Sequence, residues 1–172
     1  MSNMQSWKQN IGSIIDYAER IFPDVEIVSR SLSGEIVKSN YGQVAKRAKK
    51  LGSALETYGI KHGQNVGSLA LNTYRNMEMY YGISGMGAVM HTINFRLHPE
   101  QIAYIINHAE NRLIFLETVF APLLEALQDN CPTVEQYILL CSKEEMPETK
   151  LKNVISYEAV SYTHLTLPTT YE

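Results

Sequence analysis

Three glycines near the middle of the chain are of a type that could bind phosphate. They stand at Gly82, Gly85 and Gly87, and all ten glycines of the sequence lie at or before Gly87. A phosphate-binding loop needs glycines because only a backbone without Cβ can turn several N–H groups toward one anion. The spacing is GxxGxG, not the GxGxxG that opens a dinucleotide-binding helix. The pattern therefore favours packing, and we expect Gly85 to bring its helix close to the sheet, so that leucine there destabilises the domain.

Five histidines could bind a metal ion or contact a ligand: His62, His91, His98, His108 and His164. Their spacing matches neither HExxH nor a pairing with the cysteines, so the sequence predicts no metal-binding residue. His91 lies near the end of a predicted parallel strand, where open α/β sheets bind ligands, and Asn94 and Arg96 follow it. Two interpretations stay open: His91 faces a ligand, or its imidazole makes a structural hydrogen bond to a neighbouring loop.

A basic cluster could bind an anion or a lipid headgroup through Lys46, Arg47, Lys49 and Lys50. On a helix these side chains lie mostly away from the apolar stripe, which favours a solvent-exposed face. No nucleophile with an activating base is recognisable, because Ser-His-acid and Cys-His arrangements are formed in space and not along the chain. The sequence therefore assigns no catalytic, cofactor-binding or metal-binding residue.

The composition is that of a globular protein. Of the 172 residues, 45% are hydrophobic and 19% are charged, and the formal net charge is -3. Nucleic-acid-binding proteins usually carry a basic excess, so this class is disfavoured. Cys131 and Cys141 are too few for a disulfide scaffold, which predicts reduced thiols and a cytoplasmic protein. No apolar run approaches the roughly 18 residues of a membrane span.

Short apolar runs alternate along the chain with longer segments whose apolar residues recur every three or four positions. The sequence predicts an amphipathic helix ending near Pro23, a hairpin around Ser33-Gly34, and a helix from Asn40 to Gly59. Thr73 and Pro99 are predicted to begin two further helices, and another covers residues 119–127. Buried strands are predicted at residues 66–71, 88–93, 113–116 and 137–140. Because right-handed crossovers make such strands parallel, we predict an α/β fold, an open and mostly parallel sheet with helices on both faces.

The stretch from Asn72 to Glu110 closely resembles the AMP-forming acyl-CoA synthetases of the adenylate-forming superfamily. Their medium- and long-chain fatty acid CoA ligase branch has a recurrent Gly-Ala-Val-hydrophobe-His-Thr-Ile-Asn stretch followed by Arg-Leu and Pro-Glu-Gln-Ile, as in residues 87–102 of this chain. Residues 39–44 are similar to the first core motif of that family. The resemblance implies that ATP, with Mg²⁺, activates a fatty acid to an acyl-adenylate, which then forms a thioester with coenzyme A.

The resemblance also implies a Ser/Thr/Gly-rich phosphate-binding loop soon after Val160. Residues 161–172, with the sequence SYTHLTLPTTYE, stand there instead. We therefore expect residues 1–160 to be a partial N-terminal AMP-binding domain, part of the large N-terminal domain of an adenylate-forming enzyme, and residues 161–172 to be a non-native tail. Such a fragment is expected to be inactive alone and to bind none of ATP, Mg²⁺ and coenzyme A tightly.

Two other functions stay open on the sequence. A stand-alone flavodoxin-like module would bind a small ligand at the strand ends around Asn72, Asn94 and Glu117. A non-catalytic interaction module would instead present an exposed apolar patch to a partner. The sequence also leaves a homodimer possible.

Overall fold

The computed structural model describes residues 10–162, with the side chains up to residue 160. The helices and strands follow in this order: α1 Ile11–Ile21, β1 Glu26–Arg30, β2 Ile36–Asn40, α2 Tyr41–Thr57, β3 Asn65–Leu69, α3 Tyr74–Gly85, β4 Val89–Thr92, α4 Pro99–His108, β5 Leu113–Leu116, α5 Ala121–Leu127, β6 Gln136–Leu139, β7 Val154–Ser156 and α6 Tyr157–Tyr162. Short 3-10 turns, Thr118–Phe120 and Gln128–Asn130, flank α5. The predicted tail at residues 161–172 lies almost entirely outside the described residues.

Five strands form one parallel sheet in the order β4-β3-β5-β6-β7. The four predicted strands are confirmed, each within about two residues of its predicted bounds. Parallel pairing follows because each connection is long enough to hold a helix and too long for a tight hairpin. Strand β7 and helix α6 were not predicted, since residues 142–160 have no clear apolar period. The predicted antiparallel hairpin is confirmed as β1 and β2.

The sheet buries side chains on both faces, because successive residues of a strand point in opposite directions. In β5, Ile114 and Leu116 pack toward α4 and α5, while Leu113 and Phe115 pack toward α2, α3 and α6. Helix α1 lies outside α2 and α3, with Ile15 buried against Val44. The α/β fold with helices on both faces is therefore confirmed.

The predicted helix boundaries have local causes. The Asn40 side chain accepts a hydrogen bond from the Gln43 N–H at 2.8 Å and caps α2, and Gly59 adopts a left-handed φ of 76° just after that helix. Pro99 is the first residue of α4. Thr73 precedes α3 as predicted, but its side chain makes no capping bond. The first N–H of α3, on Tyr74, instead donates to Ser29 Oγ of β1 at 3.0 Å.

The expectation for Gly85 is wrong. A Cβ built on Gly85 would meet no atom within 4 Å, whereas one built on Gly82 would lie 2.7 Å from the Ala48 carbonyl oxygen. The close approach is therefore made by Gly82, one turn earlier, and it is made to helix α2 and not to the sheet. Gly52 of α2 faces the same contact, since its Cβ would lie 3.3 Å from the Gly82 carbonyl oxygen.

Candidate functional site

The carboxyl ends of β3 and β5 form a crevice between two diverging connections. These strands are parallel neighbours, yet the chain leaves β3 for α3 on one face of the sheet and leaves β5 for α5 on the other. In open α/β sheets such a reversal point is where ligands bind, because the two connections separate and leave a gap. The geometry therefore places the candidate site at this edge, near Arg75 and Glu117.

A cleft of about 160 Å³ opens at this crevice and at the neighbouring end of β6. The hairpin turn, the start of α3 and the ends of β5 and β6 supply its walls: Ser31, Leu32, Ser33, Thr73, Tyr74, Arg75, Glu117, Thr118, Leu140, Cys141 and Glu145. Pockets that enclose small-molecule ligands usually measure about 300–1,000 Å³. The cleft by itself is therefore too small for a nucleotide.

Glu117 is the buried acid of this cleft. Its side chain is 4% exposed, and its Oε1 atom has no hydrogen-bond partner among the described residues. Burial raises its pKa above the ordinary glutamate range, although the Leu71 N–H hydrogen bond and the charge of Arg75 oppose that shift. Glu117 can therefore hold a proton at a higher pH than an exposed glutamate and can act there as a weak acid or hydrogen-bond donor.

Arg75 connects the cleft to helix α6. Its Nη1 donates to the Leu140 carbonyl oxygen at 3.0 Å, and its Nε donates to Glu158 Oε1 at 3.1 Å. Its guanidinium also lies 5.0 Å from the centre of the Tyr74 ring. These contacts hold the side chain along the wall of the cleft and pair its charge with Glu158.

Behind Arg75, a group of polar and charged side chains joins α2, α3 and α6. We call it the clasp, and it consists of Arg47, Arg75, Glu78, Tyr157 and Glu158. Glu78 and Tyr157 are buried, and the other three are partly buried. Arg47 Nε donates to Glu78 Oε1 at 2.7 Å, and Arg47 Nη2 donates to Glu158 Oε2 at 2.9 Å. The Tyr157 hydroxyl donates to the other oxygen of Glu78 at 2.9 Å. The two arginines and the two glutamates carry opposite charges, so the net charge of the clasp is zero.

The electrostatics of the clasp follow from its burial. Burial raises the pKa of Glu78, whose side chain is 1% exposed, while Arg47 opposes the shift. Although burial also disfavours the Arg47 charge, the bond to Glu78 raises the pKa of Arg47 above its ordinary value. Burial raises the pKa of Tyr157 well above the usual tyrosine value, so its hydroxyl keeps the proton that it donates.

The clasp corrects, at Arg47, the prediction of a solvent-exposed basic face. Arg47 points into the protein and spans two glutamates, because it lies beside the α2 stripe that packs on α3. Lys49 pairs with Asp16 and Glu19 of α1, and Lys46 is exposed as predicted. No anion site is formed at Arg47, since its charge is already paired with two carboxylates.

His91 makes a structural hydrogen bond. Its Nδ1 lies 2.7 Å from Nδ2 of Asn111, a fully buried residue in the loop before β5. This bond holds the imidazole against the loop that precedes β5. This contact is the second of the two interpretations that the sequence left open.

The other strand-end residues do not converge on one site. Asn94 Oδ1 accepts a hydrogen bond from the Arg96 N–H at 3.0 Å in an exposed turn, and Asn72 Oδ1 accepts one from Asn76 at 3.0 Å. Asn72 lines a groove beside β1, whereas Glu117 lines the cleft. Within residues 10–162, no group of three His, Cys, Asp or Glu side chains is placed to hold a metal ion, and His164 lies outside the described residues.

None of the described residues forms a phosphate site. The cleft carries the carboxylates of Glu117 and Glu145, which repel an anion, and the charge of Arg75 is already paired with Glu158. The glycine pattern at residues 82–87 serves packing and a turn, because Gly82 contacts α2 and Gly87 has a φ of 88°. The described residues therefore do not fit ATP or its magnesium ion.

A parallel sheet with helices on both faces and a crevice at its reversal point defines an α/β domain of the kind that large ligand-binding enzymes contain. The family model described as AMP-binding enzyme matches residues 16–167. The chain belongs to this family, as the sequence resemblance had indicated.

Several curated relatives are CoA ligases. The 3-methylmercaptopropionyl-CoA ligase of Ruegeria lacuscaerulensis is 42% identical over 135 residues, which cover 78% of this chain and 25% of that protein. The medium-chain-fatty-acid–CoA ligase of Ectopseudomonas oleovorans is 37% identical over 148 residues, which cover 86% of this chain and 27% of that protein. The chain thus spans about a quarter of the length of the curated relatives it matches.

Solved structures show the same fold. Acetoacetyl-CoA synthetase from Streptomyces lividans matches with a TM-score of 0.76 at 12% identity, over 89% of this chain and 25% of that one. A fatty acyl CoA synthetase of Mycobacterium tuberculosis matches with a TM-score of 0.68 at 24% identity, over 76% of this chain and 26% of that one. No described helix is long and apolar enough to cross a membrane.

Proposed function

We propose that this chain is the N-terminal part of an AMP-forming acyl-CoA ligase that activates a fatty acid. The complete enzyme joins the carboxylate to AMP, releases pyrophosphate, and then transfers the acyl group to the thiol of coenzyme A with release of AMP. The observation that carries the proposal is the family match over residues 16–167, together with relatives 36% to 42% identical that are CoA ligases.

The acid substrate is proposed to be a fatty acid of medium or long chain. Two relatives, from Ectopseudomonas oleovorans and Thermus thermophilus, are medium-chain and long-chain fatty acid ligases and are 37% and 36% identical to this chain. The 3-methylmercaptopropionyl-CoA ligases are 42% and 39% identical, so a shorter thioether acid is the competing substrate. Acids of both kinds, compared in one assay, separate these two substrates.

We further propose that residues 1–160 supply only a scaffold layer and do not catalyse adenylation alone. Adenylation needs charge stabilisation at the phosphates, which backbone amides, a magnesium ion and a lysine usually supply. The described residues offer no such set around the crevice. Residues 161–172 are proposed to stand in place of the phosphate-binding loop, and the buried, free thiols of Cys131 and Cys141 support a cytoplasmic location.

The test is the exchange of labelled pyrophosphate into ATP in the presence of a fatty acid. We expect no exchange above background from the 172-residue chain, and exchange after residues 161–172 are replaced by the sequence that the genome encodes downstream. Activity of the short chain alone would contradict the scaffold role. If the genome instead encodes an immediate stop and no longer ligase, the stand-alone binding module at Glu117 becomes the better proposal.

A second variant tests His91 in the restored enzyme. Because His91 bonds to the buried Asn111, His91→Ala is expected to lower thermal stability and leave the preference for acyl-chain length unchanged. A changed chain-length preference or coenzyme A affinity at unchanged stability would place His91 in a ligand wall.

A further inference from the structure

The outer edge of strand β1 is unpaired in the described part of the chain. Strands β1 and β2 form a two-stranded sheet of their own. The Ser31 N–H donates to the Glu35 carbonyl oxygen, and the Tyr41 N–H donates to the Val25 carbonyl oxygen. In an antiparallel pair every second residue of a strand bonds to its neighbour, so these two bonds show which residues of β1 face β2. The backbone groups of Ile27 and Ser29 therefore point toward β2, and those of Glu26, Val28 and Arg30 point to the free edge. This edge offers donors and acceptors to another strand.

The side chains of β1 divide into an inner and an outer set. Ser29 is buried and accepts the Tyr74 N–H, and Ile27 packs on the helices through the cluster of Val44. Glu26, Val28 and Arg30 are exposed on the opposite face, and Val28 is 58% exposed. The outer face thus carries one acid, one valine and one base in a symmetric order.

We propose that a second copy of this chain pairs with β1 antiparallel across a two-fold axis at Val28. In this register Val28 lies opposite Val28 of the copy, and Glu26 lies opposite Arg30 of the copy, in both directions. The strand is therefore complementary to itself in backbone hydrogen bonding and in charge. The result is a continuous four-stranded antiparallel sheet that joins two domains, whatever reaction the complete protein carries out.

The other edge of the hairpin does not suit the same pairing. The centre of β2 is Lys38, which pairs with Glu26 at 3.0 Å within the hairpin. A two-fold pairing centred there would place Lys38 opposite Lys38, and like charges directly opposite one another are destabilising. Lysine at an edge is also a common device against strand addition. The charges therefore select β1 over β2.

The surroundings of β1 are apolar enough to support an interface. Of the thirteen large hydrophobic residues that are exposed in the described part of the chain, eight lie between Ile14 and Ile36. A groove of about 350 Å³ follows β1 where it meets α3, and Asn76 and Tyr80 line it with Val28. A copy added at β1 would cover this groove. Exposed apolar area concentrated in one region is typical of a protein–protein interaction surface.

The experiment measures the mass of the purified 172-residue chain by light scattering over a range of concentrations. We expect a dimer that dissociates on dilution. Arg30→Glu places two acids opposite each other at both ends of the strand pair, and it should raise the dissociation constant roughly tenfold. Adding Glu26→Arg to that variant restores opposite charges and should return the dissociation constant to near the wild-type value.

Controls separate the interface from the fold and from net charge. Arg30 has no ion pair within residues 10–162, so Arg30→Glu should leave the circular dichroism spectrum unchanged, and the melting temperature should be unchanged at concentrations where both proteins are monomeric. Lys61→Glu, in the exposed turn before β3, makes the same change in net charge as Arg30→Glu and should leave the dimer intact. A monomer at all concentrations, assemblies larger than a dimer, or a double variant as weak as Arg30→Glu would each overturn the proposal.

Discussion

The two faces of the parallel sheet bury their contacts differently. On the face of α4 and α5, the core consists of aliphatic side chains with Cys131, Cys141 and Tyr137. On the face of α2, α3 and α6, a comparable apolar core lies beside the clasp of arginine, glutamate and tyrosine. The face of α4 and α5 is held by apolar packing, which has no preferred direction. The face of α2, α3 and α6 adds hydrogen bonds and ion pairs, which require one relative position of the three helices.

This difference shows what each kind of contact contributes. Apolar burial scales with area and tolerates several arrangements of similar volume. A buried ion pair costs desolvation and gains little net stability, but it leaves a large penalty if one partner is lost or displaced. The clasp therefore fixes where α6 docks, and the apolar face supplies stability with fewer positional demands.

The largest effect is expected at Arg47. Arg47→Met leaves the buried Glu78 with the Tyr157 hydroxyl but without its arginine, and breaking a buried ion pair in this way costs about 3–5 kcal/mol. The urea midpoint of unfolding measures it. The matched control is Arg112→Met. Arg112 binds Glu135 at 2.7 Å and is about as accessible as Arg47, but Glu135 is exposed whereas Glu78 is buried, so the loss should stay below about 1 kcal/mol. Equal losses at the two sites would remove the distinction between clasp and surface pair.

The opposite face is expected to respond slightly less. Ile106 of α4 is fully buried in the apolar core, and Ile106→Ala should cost about 3 kcal/mol through lost burial and a cavity. The loss should be the same at acid and neutral pH, because no titrating group is involved. Chemical unfolding at both pH values checks this, and a loss that changes with pH would mean that the two faces are coupled.

Next in size is the contact between α2 and α3. Gly82→Ala puts a Cβ 2.7 Å from the Ala48 carbonyl oxygen, and overpacking of this kind costs about 1–3 kcal/mol. Gly85→Ala in the same helix meets no atom and should be neutral or stabilising by up to about 1 kcal/mol, since alanine favours helix. The melting temperatures of the Gly82→Ala and Gly85→Ala variants measure this difference. A loss at Gly85 as large as that at Gly82 would contradict a close approach confined to Gly82.

The smallest effect is expected at Glu117 and depends on pH. Because burial raises its pKa in the folded state, the folded protein binds this proton more readily than the unfolded chain does. The charged carboxylate therefore lowers the free energy of unfolding above its folded pKa, and the penalty disappears as the pH falls through that pKa.

Glu117→Gln keeps an acceptor for the Leu71 N–H and removes the charge. It should stabilise the protein by about 1 kcal/mol at about pH 8, and the difference from wild type should vanish at about pH 4. Urea unfolding of both proteins over this range measures it. A constant difference, or one that grows toward acid pH, would mean that Glu117 does not titrate as described.

Much of the fold was predictable from short stretches of sequence. The run Leu113-Ile-Phe-Leu116 was predicted and found as β5, and Asn40 and Pro99 begin α2 and α4 as expected. Strand β7 was missed because three residues are too few to show an alternation. The candidate site was harder to predict from the sequence. Glu117 and Asn72 were predicted to lie at one site, but they line different cavities. No sequence motif marked Arg75 as a residue of the cleft.

The sequence by itself determined the order of helices and strands, the parallel sheet and the family, because apolar period, caps and motifs are set by residues close together in the chain. Only the tertiary structure decided that Arg47 binds Glu78 and Glu158, which stand 31 and 111 positions away, and that Gly82 makes the close contact. The reason is physical: which charge is buried, and which glycine is crowded, depends on the faces that helices present to each other after the sheet has formed. No local pattern encodes those distances.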